Sequence, residues 1–86
     1  MQLKSVYNIV FKPQAIKDCK KIQKNQVDKI FYEIEKLQYG LSANVKKLTN
    51  FTPEYRLRVG NYRALFEITD QIITIYRIKH RKDAYS

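Results

Sequence analysis

A single cysteine, Cys19, occurs among the 86 residues, so no intramolecular disulfide can form and nothing points to an oxidising compartment. No apolar run approaches the roughly 20 residues that span a bilayer. The N-terminus has no apolar segment of the kind that opens a secretion signal. A cytoplasmic protein with no membrane partner is the expectation. The materials of a metal centre are also scarce: there is one histidine and one cysteine, and no paired carboxylates at ligand spacing. No metal and no cofactor are expected. Acidic residues are few, 8 against 17 basic ones. Repeats, linkers and low-complexity tracts are missing, and the length fits one domain, residues 1–86, with a small core.

What is present starts with charge. The formal net charge is +9, and 44% of residues are hydrophobic, a globular level. A basic surface on a globular chain favours nucleic acid or an acidic protein as partner. The two cations are segregated. All five arginines (56, 58, 63, 77, 81) follow residue 54, whereas ten of the twelve lysines precede it. Lysine on a helix surface is ordinary solvation. Arginine presents a planar fork to phosphate oxygens, so its confinement to one segment is the sharper signal. The pairs Lys20-Lys21 and Lys46-Lys47 read as solvated faces or as contacts to a phosphate backbone.

Tyr7-Asn-Ile-Val-Phe11 reads as a first strand. Lys12-Pro13 opens a helix with an apolar stripe of Ile16, Cys19 and Ile22, which makes Cys19 a core residue. Asn25 is placed to cap a second helix. In that helix Val27, Ile30, Phe31, Ile34, Leu37 and Leu41 recur at helical spacing, and Gly40 ends it. Residues 42–54 look irregular. From residue 55 the period becomes two, and strands are expected over Tyr55–Val59, Tyr62–Thr69 and Ile72–Lys79. Gly60-Asn61 and Asp70-Gln71 separate them at hairpin length, with Gly60 at the first central position of a type II′ turn. The expected class is α+β in the order β-α-α-β-β-β. A small antiparallel sheet would be packed on one face by a helical hairpin.

A two-residue turn at Gly60-Asn61 fixes the register. Arg58 then faces Arg63 and Arg56 faces Leu65, while Leu57 faces Ala64 and Tyr55 faces Phe66. One face carries Tyr55, Leu57, Val59, Tyr62, Ala64 and Phe66 and can bury the helices. The other gathers Arg56, Arg58 and Arg63. Directly opposed like charges cost a few tenths of a kcal/mol in water, which an anion would reverse. The alternative is a solvated outer face on which arginines cover Leu65 and Ile78.

Pairing across Asp70-Gln71 without a bulge would bring the chain end back beside Gly60-Asn61. His80, Arg81 and Tyr85 would then join Arg58 and Arg63, with Lys82 nearby. Such a set suits RNA: arginines hold and stabilise a phosphate, a tyrosine stacks on a base, and a histidine carries a proton. Cleavage by a neighbouring ribose 2′-hydroxyl needs nothing further. His80 and Tyr85 each have a bland alternative, in packing at a strand end and at a terminus. Glu54 and Glu67 are alternative bases, although an ion pair with an arginine suits Glu67 better.

The stretches Tyr55-Arg-Leu-Arg-Val-Gly-Asn-Tyr-Arg63 and Ile78-Lys-His-Arg-Lys-Asp-Ala-Tyr85 resemble the RelE toxins of type II toxin–antitoxin systems, within the RelE/ParE superfamily. Size, element order and charge agree over nearly the whole chain. The arginine element does not separate RelE from ParE; the ending is closer to RelE. The resemblance implies a ribosome-dependent endoribonuclease that cuts mRNA in the ribosomal A site, leaving a 2′,3′-cyclic phosphate and a 5′-hydroxyl. It makes Arg63 and Arg81 the phosphate-stabilising residues, with Arg81 also the proton donor, and Tyr85 the base-stacking residue. Arg56 and Arg58 stand where the best-known member carries lysines. Arginine is essentially never deprotonated, so His80 becomes the candidate base. A RelB-like antitoxin is the implied partner, and operator DNA would be met only through the toxin–antitoxin complex. The alternative functions are a ParE-like inhibitor of DNA gyrase without nuclease activity and an inactive binding domain.

Overall fold

The first strand opens a five-stranded sheet rather than standing apart from a meander. A computed structural model describes residues 4–84. Its elements are β1 (Asn8–Phe11), α1 (Pro13–Cys19), α2 (Lys24–Lys36), a single 3-10 turn (Leu37–Tyr39), β2 (Val45–Lys47), β3 (Tyr55–Val59), β4 (Tyr62–Thr69) and β5 (Ile72–His80). The strand order is β1-β5-β4-β3-β2. The pairs β2–β3, β3–β4 and β4–β5 are antiparallel, but β1 lies parallel to β5, so the sheet is mixed. The intervening chain with both helices provides the long connection that a parallel neighbour needs. β2 falls within the stretch expected to be irregular. It is only three residues long, too short to show a period of two.

Ile30 and Ile34 of α2 and Leu37 at the start of the 3-10 turn follow at i, i+4 and i+7 and are each 1% exposed. They meet Leu57, Ala64, Phe66, Ile73, Ile75 and Ile78 from the sheet. Full burial of each large side chain contributes about 1.5–3 kcal/mol, which makes this layer the main stabilising term. Several expected helix details shift. Gln23, not Asn25, flanks the start of α2, and the Asn25 side chain instead accepts the amide of Gln26 at 2.9 Å. Leu41 lies past the helix and is exposed. In α1 the buried positions are Ala15 and Asp18, with Ile16 turned outward and Cys19 partly buried.

The β3–β4 register is the one the sequence implies, pairing Arg58 with Arg63 and Leu57 with Ala64. Gly60 takes φ 57°, a left-handed value that suits glycine at this turn. The β4–β5 pair departs from expectation. Phe66 faces Ile75, but Leu65 faces Arg77, so Tyr76 is an extra residue in β5. This bulge gives Tyr76 and Arg77 successive outward positions and returns Ile78 to the core. Ile78 therefore lies under the helices, not beneath the arginines.

β1 ends opposite Ile75, leaving the later part of β5 without a strand on that side. α1 takes over there. Asp18 accepts the Ile78 amide at 2.9 Å and grips Arg77 through Nε at 2.9 Å and Nη2 at 3.1 Å. Gln14 adds a fourth bond at 3.2 Å. One carboxylate thus substitutes for a missing strand.

Candidate nucleic-acid interface

On the face away from the helices, two cross-strand rows run side by side. One is Arg58, Arg63 and Lys79; the other is Lys46, Arg56, Leu65 and Arg77. A cleft of about 290 Å³ is set into this face, lined by Ala43, Asn44, Lys46, Arg56, Arg58 and Arg63. No acidic residue is among that lining. Arg56 is 8% exposed, low for a charged side chain, and burial pulls its pKa down.

Arg63 is fixed by its own hairpin. Its Nη1 donates to the carbonyls of Gly60 and Tyr62, both at 2.9 Å. Burial and then the charges of Arg58, Arg56 and Arg81 hold its pKa below the usual arginine value. The charges of Arg58, Arg56 and Arg81 thus all oppose that of Arg63. The Arg81 amide donates to the Asn61 carbonyl at 2.7 Å, which pins the end of β5 to the turn before Arg63. An anion bound among these groups would reverse the repulsion.

His80 lies elsewhere. The bulge places it opposite Tyr62, on the face that carries Ala64 and Phe66. The two rings pack edge to face with centroids 5.5 Å apart. His80 Nδ1 accepts the Lys82 amide at 3.2 Å. The ring lines a separate cavity of about 510 Å³ with Asp18, Tyr62, Arg77 and Asp83. The expected convergence of His80 with the arginines depended on a bulge-free strand, and one extra residue reverses it. Lys82 is exposed in the turn after β5. Tyr85 lies outside the described residues.

The carboxylates also differ from expectation. Glu67 does not ion-pair with an arginine; its Oε1 accepts the Glu54 amide at 2.7 Å. Glu54 itself reaches Lys47 at 3.6 Å. Neither lines the arginine cleft. Lys46, Asn44 and Lys79 were not singled out in the sequence as residues of this face. Lys46 and Asn44 belong to the missed β2 edge, and Lys79 arrives through the bulge. Cys19 packs against the core; burial and Asp18 push its thiol pKa up, away from nucleophilic use.

Comparison with known proteins gives consistent matches. The family model described as the ParE toxin of type II toxin-antitoxin system, parDE, matches residues 9–85. Toxin RelE3 of Methanocaldococcus jannaschii is 33% identical over 82 residues, covering 90% of this chain and 93% of that protein. A chain in the crystal structure of the RelB-RelE antitoxin-toxin complex from Methanococcus jannaschii superposes with a TM-score of 0.74 at 31% identity, covering 88% of this chain and 94% of that one. The archaeal RelE-RelB complex from Pyrococcus horikoshii OT3 contains the same fold, with a TM-score of 0.75 at 24% identity and coverage of 92% and 99%. On residues 9–85 and on its RelE relative, the chain belongs to the RelE/ParE family of type II toxin–antitoxin toxins.

Proposed function

We propose that this chain is a ribosome-dependent mRNA endonuclease, active in the cytoplasm and neutralised by a RelB-like antitoxin. The observation that carries the reading is the acid-free cleft in which Arg56, Arg58 and Arg63 converge, with Arg81 electrostatically coupled to Arg63. A scissile phosphate held there would neutralise the mutual repulsion. As the ribose 2′-oxygen attacks phosphorus and the 5′-oxygen departs, charge accumulates on the non-bridging oxygens. Arg63, held by two carbonyls before substrate arrives, is preorganised to stabilise it. Arg81, whose charge acts on Arg63, stabilises the charge on the leaving oxygen, which takes its proton from solvent, and Arg56 and Arg58 hold the backbone. Tyr85 supplies the stacking surface.

The 2′-hydroxyl must lose a proton, and arginine does not accept one. Lys46 lines the cleft beside the arginines, and a lysine amine, unlike a guanidinium, has a neutral form that accepts a proton. It takes the base role in this reading. His80 becomes a positioning residue, whose contact with the Lys82 amide shapes the turn that carries Arg81.

The RelB partners in the two related archaeal complexes support an antitoxin for this chain, with operator DNA reached through the joint complex. A second reading, gyrase inhibition, draws on the ParE description of the matching family model. Expression in cells separates the two. The nuclease reading expects translation arrest, with primer extension showing mRNA cut within codons, and normal DNA supercoiling. Intact mRNA with a DNA-damage response would establish the gyrase reading instead.

A further inference from the structure

We infer that the flank of α2 around Tyr32 is a nucleobase subsite that continues the arginine cleft and stacks the base of a nucleotide next to the bound phosphate. This rests on the proposed RNA substrate and adds where a flanking base goes.

β2 pairs with β3 only from Leu57 to Tyr55, and the Arg58 amide takes the Asn44 carbonyl at 3.0 Å. Next to Val59 and Gly60 a second cleft of about 360 Å³ opens between the end of β3 and α2. Asn44 and Arg58 line both clefts, so one groove passes from the arginine face around the sheet edge to the helix. Lys29, Tyr32 and Glu33 form its far wall. They share a helix flank with Lys36, at i, i+3, i+4 and i+7.

The chemistry along this groove changes from phosphate-binding to base-binding. Tyr32 is 63% exposed, the highest value among the exposed large apolar and aromatic side chains of the described residues. Packing does not account for an aromatic ring so placed. Lys36 Nζ stands 5.1 Å from the ring centroid. The acid of the wall, Glu33, is occupied by Lys36 at 3.2 Å, which leaves Lys29 and Arg58 to set the sign of the groove. An exposed ring between cations, joined to a phosphate cleft by a shared arginine, is the combination that binds single-stranded nucleic acid. A protein segment would gain from the cations too, but has no matching need for a ring beside a phosphate site.

Fluorescence anisotropy with a 2′-O-methyl hexanucleotide, which lacks the attacking hydroxyl, tests this on the purified chain. Tyr32→Ala should weaken binding about 5- to 150-fold, the range for one stacked base, and Tyr32→Phe should bind like the wild type. A set of oligonucleotides with one abasic position each should include one that weakens wild-type binding equally, and that oligonucleotide should cost Tyr32→Ala nothing further. Equal binding by Tyr32→Ala, or a loss that abasic positions do not reproduce, overturns the subsite. Arg63→Ala separates this from the parent reading. If Arg63→Ala binds weakly while Tyr32→Ala binds normally, the subsite alone fails. If the wild type does not bind, the subsite fails, and the parent reading is decided separately by mRNA cleavage on programmed ribosomes, which Arg63→Ala should reduce.

Discussion

Arg63 is held in place by carbonyls and opposed by its own neighbours, a combination that decides what its replacement does. The two hydrogen bonds to Gly60 and Tyr62 fix the guanidinium, while Arg58, Arg56 and Arg81 disfavour its charge. Arg63→Ala should lower mRNA cleavage about 100- to 1,000-fold, the usual loss for one preorganised charge-stabilising donor. Thermal stability should stay within about 1 kcal/mol, since relief of repulsion offsets the lost bonds. Cleavage assays on programmed ribosomes, alongside melting curves, check both. The same assay distinguishes the candidate bases. Lys46→Arg keeps the charge and removes a usable amine, so it should abolish cleavage while retaining RNA binding. His80→Gln should cleave near the wild-type rate, because its ring faces Tyr62 and not the cleft, and the glutamine oxygen can still accept the Lys82 amide.

At the level of elements, α1 and β5 are joined by Asp18. Burial alone would raise its pKa, but the bonds from Arg77, the Ile78 amide and Gln14 outweigh that and hold it below the ordinary 3.8. A depressed carboxylate stabilises the fold at pH above its unfolded value, and that stability is lost as pH falls through the folded value. Stability should therefore decline in acid below about pH 4. Asp18→Asn should cost about 1.5–3 kcal/mol near neutrality and flatten that acid limb, measured by denaturant midpoints across pH. Nothing in the sequence marked Asp18. It sits on a short helix beside Cys19, and its partners lie 59 and 60 residues away. By contrast, α2 and the β3–β4 hairpin were legible. Ile30, Ile34 and Leu37 repeat at 3.6, and Gly60-Asn61 fixes a two-residue turn with no freedom in register. The arginine face followed from that turn. The position of His80 did not, because it needs the bulge, whose one mark is the apolar parity moving from Ile73 and Ile75 to Ile78; unbroken alternation would have turned Arg77 and Lys79 to the core. The parallel pairing of β1 likewise depends on packing across the whole connection.

Over the whole molecule, a net charge of +9 produces two opposite salt effects. Ions screen the self-repulsion of the free protein, so added sodium chloride should raise its melting temperature. The same ions compete with phosphate contacts, so log affinity for RNA should fall linearly with log salt, by about 0.7 per phosphate neutralised on a single strand. Melting curves and anisotropy over the same salt series should give slopes of opposite benefit. A melting temperature that falls with salt would show that the charge is already internally balanced. The mixed sheet bears on this as well: its helices protect one face, so the cations that do not fit beneath them accumulate on the other.

Tyr76 matters by being counted more than by being read. Its ring is partly exposed, with Lys12 5.5 Å from its centroid, so many residue types would fit there. Remove the position, and the ladder closes without a bulge: Arg77 follows Ile75 outward, while Ile78, Lys79 and His80 keep their sides. Remove Ile78 instead, and Lys79 would turn toward the core while His80 would meet the arginines. For this stretch, tolerance to a one-codon deletion at Tyr76 and intolerance to one two positions later should coexist, and relatives that differ in length after the bulge would carry different chemistry behind the same letters.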